Sequence, residues 1–148
     1  MDFSELISDF ATRHNVEGLS AEDGTTALDV DGIAILLATV ADELIVTAEI
    51  GEPPPDGAAD FANLLLEANL ESPAFFAKSQ ENENSLLTRR IPLAGLDGEA
   101  FASALEAFVN RAEAWRKLLA DFRPAAAAAA EAAKEDATAF GSGSFMQV

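Results

Sequence analysis

The stretch that most constrains the fold is residues 86–122, where one predicted strand leads through a tight connection into one long amphipathic helix. Residues 86–93 are predicted to form the strand, and Asp97 is placed to cap the helix. The helix has an apolar stripe at helical spacing, formed by Phe101, Leu105, Phe108, Ala112, Trp115 and Leu119. No catalytic constellation lies in this stretch. We therefore predict that the helix is a scaffold backing a sheet, and that Trp115 contributes to stability.

The rest of the pattern predicts two more helices and four more strands. Helix 3–13 begins after a capping Asp2, and helix 58–69 after a capping Asp56. The predicted strands are residues 26–30, 33–40, 44–50 and 75–79. Asp31-Gly32 is a hairpin turn signal between the first two strands, because Gly readily adopts positive φ. The predicted fold class is α+β: a five-stranded antiparallel sheet with three helices in the order α-β-β-β-α-β-β-α, followed by an Ala-rich C-terminal tail.

One domain is predicted for residues 1–123, with an extension over residues 124–148. Residues 125–137 have high helix propensity but little apolar bulk, so they are expected to be helical and solvent-exposed, or frayed. Residues 141–144 (GSGS) have the composition of a flexible connection. The apolar segment 145–148 (FMQV) is open to two interpretations: a disordered terminus, or an anchor that docks on the domain.

Composition excludes several classes of partner. The 148-residue chain has a formal net charge of −17 and a pI of about 4.1. Nucleic acid is disfavoured because phosphate binding depends on Lys and Arg, and an anionic membrane surface is disfavoured for the same reason. Residues 33–41 are apolar but too short to span a bilayer, and residues 1–10 contain three acids where a signal peptide has bases. We expect a cytoplasmic protein with a basic or mostly apolar partner.

No residue pattern indicates catalysis. The chain has no cysteine, which excludes thiolate chemistry, and its single histidine, His14, lies near a predicted helix end. Residues 29–32 (DVDG) lack the spacing and the Glu of a calcium loop. Arg89 and Arg90 are neighbours on a strand and point to opposite faces, so ion pairs explain them best. We predict no enzymatic activity, no cofactor and no metal.

Two elements are more apolar than a singly covered element needs to be. Strand 33–40 carries Ile33, Ile35 and Leu37 on one face but also Leu36 and Val40 on the other. Helix 58–69 is apolar around more than one stripe. Either both surfaces are buried within the chain, or each keeps one face for a partner. The sequence leaves these alternatives open.

The order of elements and several local motifs resemble the type III secretion chaperones of the small, acidic, homodimeric class, the Tir-chaperone-like (CesT-like) family. The motifs are residues 28–32 (LDVDG) before an apolar strand, residues 64–69 (LLLEAN) in the second helix, and residues 90–93 (RIPL) leading through Leu96 into the third helix. The third helix completes the resemblance with Phe101, Leu105, Phe108, Val109, Ala112 and Trp115. Together these motifs span residues 3–122.

The resemblance implies a non-enzymatic cytoplasmic homodimer that binds the extended N-terminal segment of a secreted effector and keeps it soluble and export-competent. It implies an effector-binding groove formed by Phe3, Leu6, Ile7, Phe10, Leu28, Val30, Ile33 and Ile35. It implies a dimer interface formed by Leu64, Leu66, Leu70, Phe75 and Phe76. The alternative is a general protein-interaction domain of the same fold with no link to secretion.

Overall fold

Among the residues that the structure describes, three helices and five strands follow one another in the order predicted from the sequence. The computed structural model describes residues 2–19, 21–71 and 73–124. The elements are α1 Phe3–Arg13, β1 Thr25–Val30, β2 Ile33–Val40, β3 Glu43–Gly51, α2 Ala58–Ala68, β4 Ala74–Lys78, β5 Ser85–Pro92 and α3 Gly98–Ala120. Every strand boundary lies within one residue of its predicted position, and the predicted α+β class is confirmed. Predictions for residues 125–148 lie outside the described residues, so the proposed extension stays a prediction.

Two of the three predicted helix caps are confirmed. The Asp2 carboxylate accepts a hydrogen bond from the Glu5 backbone N–H at 2.8 Å, and the Glu5 side chain accepts one from the Asp2 N–H at 2.9 Å. This reciprocal pair satisfies two donors that the first turn of α1 leaves without a helical partner. At the start of α3, the Asp97 carboxylate accepts from the Ala100 N–H at 2.8 Å.

The predicted cap of α2 at Asp56 is wrong. The residue before the helix is Gly57, which has a left-handed φ of 83° and makes no side-chain cap hydrogen bond. The reason lies far along the chain: Phe122 and Pro124 pack against this point, and a Cβ on Gly57 would lie 2.6 Å from the Pro124 Cβ. A glycine is needed here both for its backbone angle and for its small size.

The sheet is antiparallel throughout, with strand order β1-β2-β3-β5-β4. The β1–β2 hairpin turns through Asp31 and Gly32, both with positive φ, as a two-residue type I′ turn requires. The Asp29 carboxylate accepts from the Gly32 N–H at 3.0 Å and helps to hold this turn. Because β5 inserts between β3 and β4, the two edge strands are β1 and β4.

The core lies on one face of the sheet, beneath all three helices. The most deeply buried strand residues belong to one alternating set, which includes Ile35, Leu37, Leu44, Val46 and Leu87. The helices meet over this face through aromatic rings. Phe10 of α1 packs edge-on against Phe101 of α3 at 5.5 Å, and Trp115 of α3 contacts Phe61 of α2 and Phe76 of β4 at 6.5 and 4.7 Å.

Candidate binding surfaces

The eight residues predicted to form an effector groove come together on the helix-covered side of the sheet. They lie on the inner face of α1 and on β1 and β2: Phe3, Leu6, Ile7, Phe10, Leu28, Val30, Ile33 and Ile35. Seven are buried, and Val30 is partly buried against the same core. Their part in binding stays a prediction. Because the side chains of these eight residues fill the core, a bound chain could contact them only at the margins of the core.

Two open grooves run along the two sides of α1. The loop groove, between α1 and the loop that follows it, has a volume of about 510 Å³ and is lined in part by Ile7, Val16 and Leu19. The hairpin groove, between α1, the β1–β2 turn and α3, has a volume of about 440 Å³ and includes Phe10 and Val30. Three of the eight predicted residues therefore line a groove as well as the core.

Sequence reasoning missed several groove residues. Val16 and Leu19 follow the end of α1, in a segment for which the sequence predicts no helix or strand, and both pack partly against the core. The sequence signal for their burial was that Val16 and Leu19 are apolar residues three positions apart in an otherwise polar loop. Leu105 and Val109 of α3 also line the hairpin groove, although the sequence marked them only as core.

The β1 edge of the sheet is open to pairing. Thr25 exchanges two backbone hydrogen bonds with Glu22 on the outer side, at 2.9 and 3.1 Å. By alternation, Ala27 and Asp29 also direct their N–H and C=O groups outward, whereas Thr26, Leu28 and Val30 pair with β2. Within the described ranges, no backbone group pairs with the outer side of Ala27 or Asp29. Such an edge can accept another strand.

The β4 edge is different because a side chain already occupies its centre. Asn69, directly after α2, accepts from the Phe76 N–H at 2.6 Å and donates to the Phe76 C=O at 3.4 Å. The amide thus takes the place of one residue of a neighbouring strand. A further strand would have to displace Asn69 to pair along β4, so the two edges are not equivalent.

The outer face of the sheet is partly apolar and is not covered by any described helix. Leu36 and Val40 of β2 are 51% and 53% exposed. Ile45 of β3 and Leu86 of β5 lie on the same face and are half-buried. The sequence left open whether both faces of β2 are buried within the chain or one face stays free for a partner. Among the described residues, only one face of β2 is covered.

The five predicted dimer residues do not share one surface. On α2, Leu66 is 65% exposed and Leu64 is half-buried, and Leu70, two residues after the helix ends, is 88% exposed. Phe75 is half-buried on the outer face of the sheet, whereas Phe76 is buried on the covered face against Trp115. Full burial of α2 within the domain is therefore wrong. The dimer role of these residues stays a prediction.

A third groove lies between α2 and β4, and we call it the α2–β4 groove. Its volume is about 290 Å³, and Phe61, Leu65, Leu66 and Phe76 are among its apolar lining residues. Lys78 and Glu83 stand at its margin and form an ion pair at 2.5 Å. The groove is of a size that takes one or two side chains, at the lower end of the ~300–1,000 Å³ usual for ligand sites.

Exposed acidic side chains are concentrated around the open β1 edge. Glu22, Asp23, Asp29 and Asp31 are all exposed around the open β1 edge, which gives that edge a negative potential. His14 is exposed and stacks on Phe10 at 4.5 Å.

Among the described residues, no group of three His, Cys, Asp or Glu side chains could hold a metal ion. In the same ranges, none of the helices combines the length and hydropathy of a membrane span.

Solved structures share this fold at low sequence identity. A chain of the ExsC–ExsE complex matches with a TM-score of 0.69 and 22% identity, over 80% of this chain and 97% of that one. A chain of the complex between the Yersinia pestis type III secretion chaperone SycH and a fragment of YscM2 matches with a TM-score of 0.64 and 23% identity, over 77% and 99%. YbjN of E. coli, a putative transcription regulator, matches at 0.57 and 16%, over 79% and 91%.

These likenesses establish the fold, and no curated protein sequence matches significantly. The sequence model of the Tir chaperone protein (CesT) family, in contrast, matches residues 5–116. That range begins in α1 and ends in α3, so it contains every strand of the described residues, both sheet edges and all of the residues that line the three grooves except Ser4. The match covers most of the chain, and the chain belongs to the Tir chaperone protein (CesT) family.

Proposed function

We propose that this protein is a non-enzymatic cytoplasmic chaperone that binds the extended N-terminal segment of a secreted type III effector and keeps it soluble and export-competent. The family match over residues 5–116 is the observation that carries the proposal. The neighbouring structure of the type III secretion chaperone SycH with a fragment of YscM2 supports it. The surfaces described above suit an extended ligand, because they are a strand edge and grooves rather than a closed pocket.

The open β1 edge is the proposed site of main-chain pairing. An added strand would bond to the outward N–H and C=O groups of Ala27 and Asp29, and its alternate side chains would lie towards the outer sheet face and the loop groove. Main-chain pairing binds many sequences, which suits a partner held unfolded. The acids around the edge favour a segment that carries Lys or Arg beside its apolar residues. The predicted groove residues Ile7, Phe10 and Val30 are proposed to contact the ligand where they border the grooves.

A proline substitution tests the edge directly. Ala27→Pro removes one outward N–H without removing a β1–β2 bond, and edge positions of this kind tolerate proline. We expect the Ala27→Pro variant to bind an N-terminal effector segment about tenfold more weakly or worse than the unmodified chain, as measured by calorimetric titration after co-expression. The lost main-chain hydrogen bond and the adjacent bond that the proline disturbs contribute about 1 kcal/mol each. Ala27→Ser keeps the N–H and is the matched control. Equal affinities of the two variants for the effector segment would show that the segment does not pair with β1.

A homodimer is proposed to form through the exposed face of α2 and the turn directly after it. Leu70 and Leu66 are the two most exposed large apolar side chains among the described residues. Leu70→Glu would place a charge in that interface, and light scattering at micromolar concentration is expected to show the monomer mass. Leu118→Glu, on α3 and 39% exposed, is the control and should remain a dimer. A monomeric unmodified chain would contradict the dimer proposal.

The alternative is a general protein-interaction domain, and the fold is not confined to secretion chaperones by description, because YbjN, described as a transcription regulator, shares it. The two functions differ in the state of the ligand. The chaperone should bind an isolated effector segment that is unfolded on its own, and limited proteolysis of the complex should protect an extended N-terminal stretch. Binding only to folded partners would favour the interaction domain instead.

A further inference from the structure

The open β1 edge is short because the chain itself occupies its first position, and this restricts how a ligand strand can pair with it. We propose that the edge selects a three-residue pattern in an antiparallel ligand strand: Lys or Arg opposite Asp29, an apolar residue opposite Leu28 and a large apolar residue opposite Ala27. This inference rests on the proposed function, because it names the kind of segment that the β1 edge binds.

A turn that folds back onto the start of β1 sets the register. Glu22 and Thr25 exchange both backbone hydrogen bonds on the outer side of the strand. The two residues between them, Asp23 and Gly24, have φ values of 51° and 73°, as in a type I′ turn. The Thr39 N–H and hydroxyl both donate to the Gly24 C=O, at 2.9 and 3.2 Å, and tie this turn to β2. An added strand therefore cannot pair with Thr25.

The β1–β2 turn limits the other end of the edge, because it begins directly after Val30. Among the described residues, only Ala27 and Asp29 of β1 direct outward N–H and C=O groups that have no partner. An antiparallel strand exchanges two hydrogen bonds with each of these residues, and parallel pairing is slightly less stable per residue. The antiparallel direction is therefore favoured, with four main-chain bonds in a single register.

Asp29 supplies the charge that selects a basic residue. One of its carboxylate oxygens accepts from the Gly32 N–H at 3.0 Å, which orients the side chain. The neighbour of Asp29 on β2 is Ala34, which is small and uncharged. Opposite charges on directly facing residues of an antiparallel pair stabilise the pairing, and like charges weaken it. A Lys or Arg is therefore favoured opposite Asp29, and an acid is disfavoured.

Ala27 leaves room for a large side chain to reach Leu36. The register places Ala27 between an added strand and Leu36 of β2, on the outer face of the sheet. Leu36 is 51% exposed, and Ala27 covers little of it. Adjacent strands lie about 4.8 Å apart, so two long side chains can meet over the methyl group between them. A large apolar ligand residue opposite Ala27 thus covers apolar surface that the domain leaves exposed.

The middle residue of the pattern points to the helix-covered side of the sheet. Side chains alternate along a strand, and Leu28, which it faces, is buried on that side. The loop groove lies there too, because its lining residue Ala21 immediately precedes Glu22. Val16 and Leu19 of this groove are only partly buried, so an apolar side chain is favoured. From its N-terminus, the antiparallel ligand carries a basic, an apolar and a large apolar residue.

Random peptides displayed on phage and selected on the full chain test this pattern. We expect enriched peptides to carry Lys or Arg two positions before a large apolar residue. Asp29→Asn keeps an acceptor for the Gly32 N–H but removes the charge. This variant should lose the preference for a base and bind a selected peptide about two- to fivefold more weakly in calorimetric titration. The matched control is Asp31→Asn, which removes the same charge outside the strand and should keep the preference.

The turn at Glu22 is tested by a second pair of variants. Glu22→Pro removes the N–H that bonds to the Thr25 C=O, whereas Glu22→Ala removes the same charge and keeps that N–H. A selected peptide should extend its pairing and slow amide exchange at Thr25 in the proline variant only. If the peptide leaves Thr25 unaffected in the proline variant, the turn does not set the register.

Amide exchange separates the failure of this pattern from the failure of the proposed function. In the unmodified chain, a selected peptide should slow exchange at Ala27 and Asp29. Peptides that do so without a basic preference, or with one that Asp29→Asn leaves intact, overturn the pattern but leave the chaperone proposal standing. The reverse order of basic and large residues overturns the antiparallel register. If no selected peptide protects Ala27 and Asp29, the β1 edge is not the binding site, and both proposals for this edge fail.

Discussion

Gly57 is the residue at which the start of α2 meets the end of the described chain. Its φ of 83° is unfavourable for any other residue except Asn or Asp, and a Cβ would lie 2.6 Å from the Pro124 Cβ. We expect Gly57→Ala to lower the free energy of unfolding by about 2–5 kcal/mol. Of this, about 1–2 kcal/mol comes from the left-handed backbone and about 1–3 kcal/mol from overlap with Pro124. Urea unfolding followed by circular dichroism measures the loss.

Gly95 provides the matched control for Gly57. Its φ is 75°, but no atom lies within 4 Å of the position that a Cβ would take. Gly95→Ala should therefore cost only the backbone part, about 1–2 kcal/mol. If the two variants lose equal stability, the contact between Gly57 and the end of the chain contributes nothing.

The same residue shows where sequence-based prediction fails at this scale. The caps at Asp2 and Asp97 were predictable because each carboxylate bonds to a backbone N–H only three residues away. Asp56 has the same local signal, yet Gly57 precedes the helix because Phe122 and Pro124 pack there. A packing partner so distant in the sequence cannot be recognised from the local pattern.

At the scale of the element, Asn69 determines how exposed the β4 edge is. Replacing it by the similarly sized leucine leaves the Phe76 N–H and C=O without their side-chain partner. We expect Asn69→Leu to cost about 1–2 kcal/mol in urea unfolding, and the uncovered edge to promote self-association detectable by light scattering. Asn63→Leu, at an exposed position on α2, is the control. If Asn69→Leu and Asn63→Leu self-associate to the same extent, the added apolar surface and not the uncovered β4 edge causes the association.

The third helix is expected to act as the scaffold that its sequence pattern predicts. Trp115 is half-buried and joins α3 to both α2 and β4 through Phe61 and Phe76. We expect Trp115→Ala to lose about 2–3 kcal/mol, somewhat less than a fully buried aromatic side chain. Leu118→Ala, nearly one turn further along α3 and 39% exposed, should change stability by less than about 0.5 kcal/mol. A stable Trp115→Ala protein that has lost only partner binding would contradict the scaffold role.

Periodicity predicted which elements form but not which faces stay open. The alternation of β2 and the broad apolar surface of α2 both predicted two-sided contact, and the structure leaves Leu36, Leu66 and Leu70 exposed. The predicted groove residues of α1 lie in the core because α1 turns its whole apolar stripe inward. Substituting Leu6 or Ile35 would therefore open a cavity in the core, so binding is better tested at exposed positions such as Ala27.

At the scale of the whole molecule, the order of elements was enough to predict the α+β class, and this order together with the local motifs and the acidic composition predicted the family. The strand order was not predictable in the same way, because the insertion of β5 between β3 and β4 depends on pairing between distant segments. That insertion makes β1 and β4 the edges. The difference between an open β1 and an Asn69-occupied β4 then follows from a single side chain.

The net charge of −17 leads to a last prediction about the folded molecule as a whole. A domain of this size has a radius of gyration of about 14 Å, whereas the Debye length falls from about 30 Å at 0.01 M salt to about 10 Å at 0.1 M. At low salt all of the acids therefore repel one another, which destabilises the compact state. We expect the Tm to rise by several °C between 0.01 and 0.5 M NaCl, at about 4 °C per kcal/mol of relieved repulsion. KCl should give the same rise if screening is the cause, whereas an unchanged Tm, or a rise specific to one cation, would show that repulsion among the acids does not limit stability.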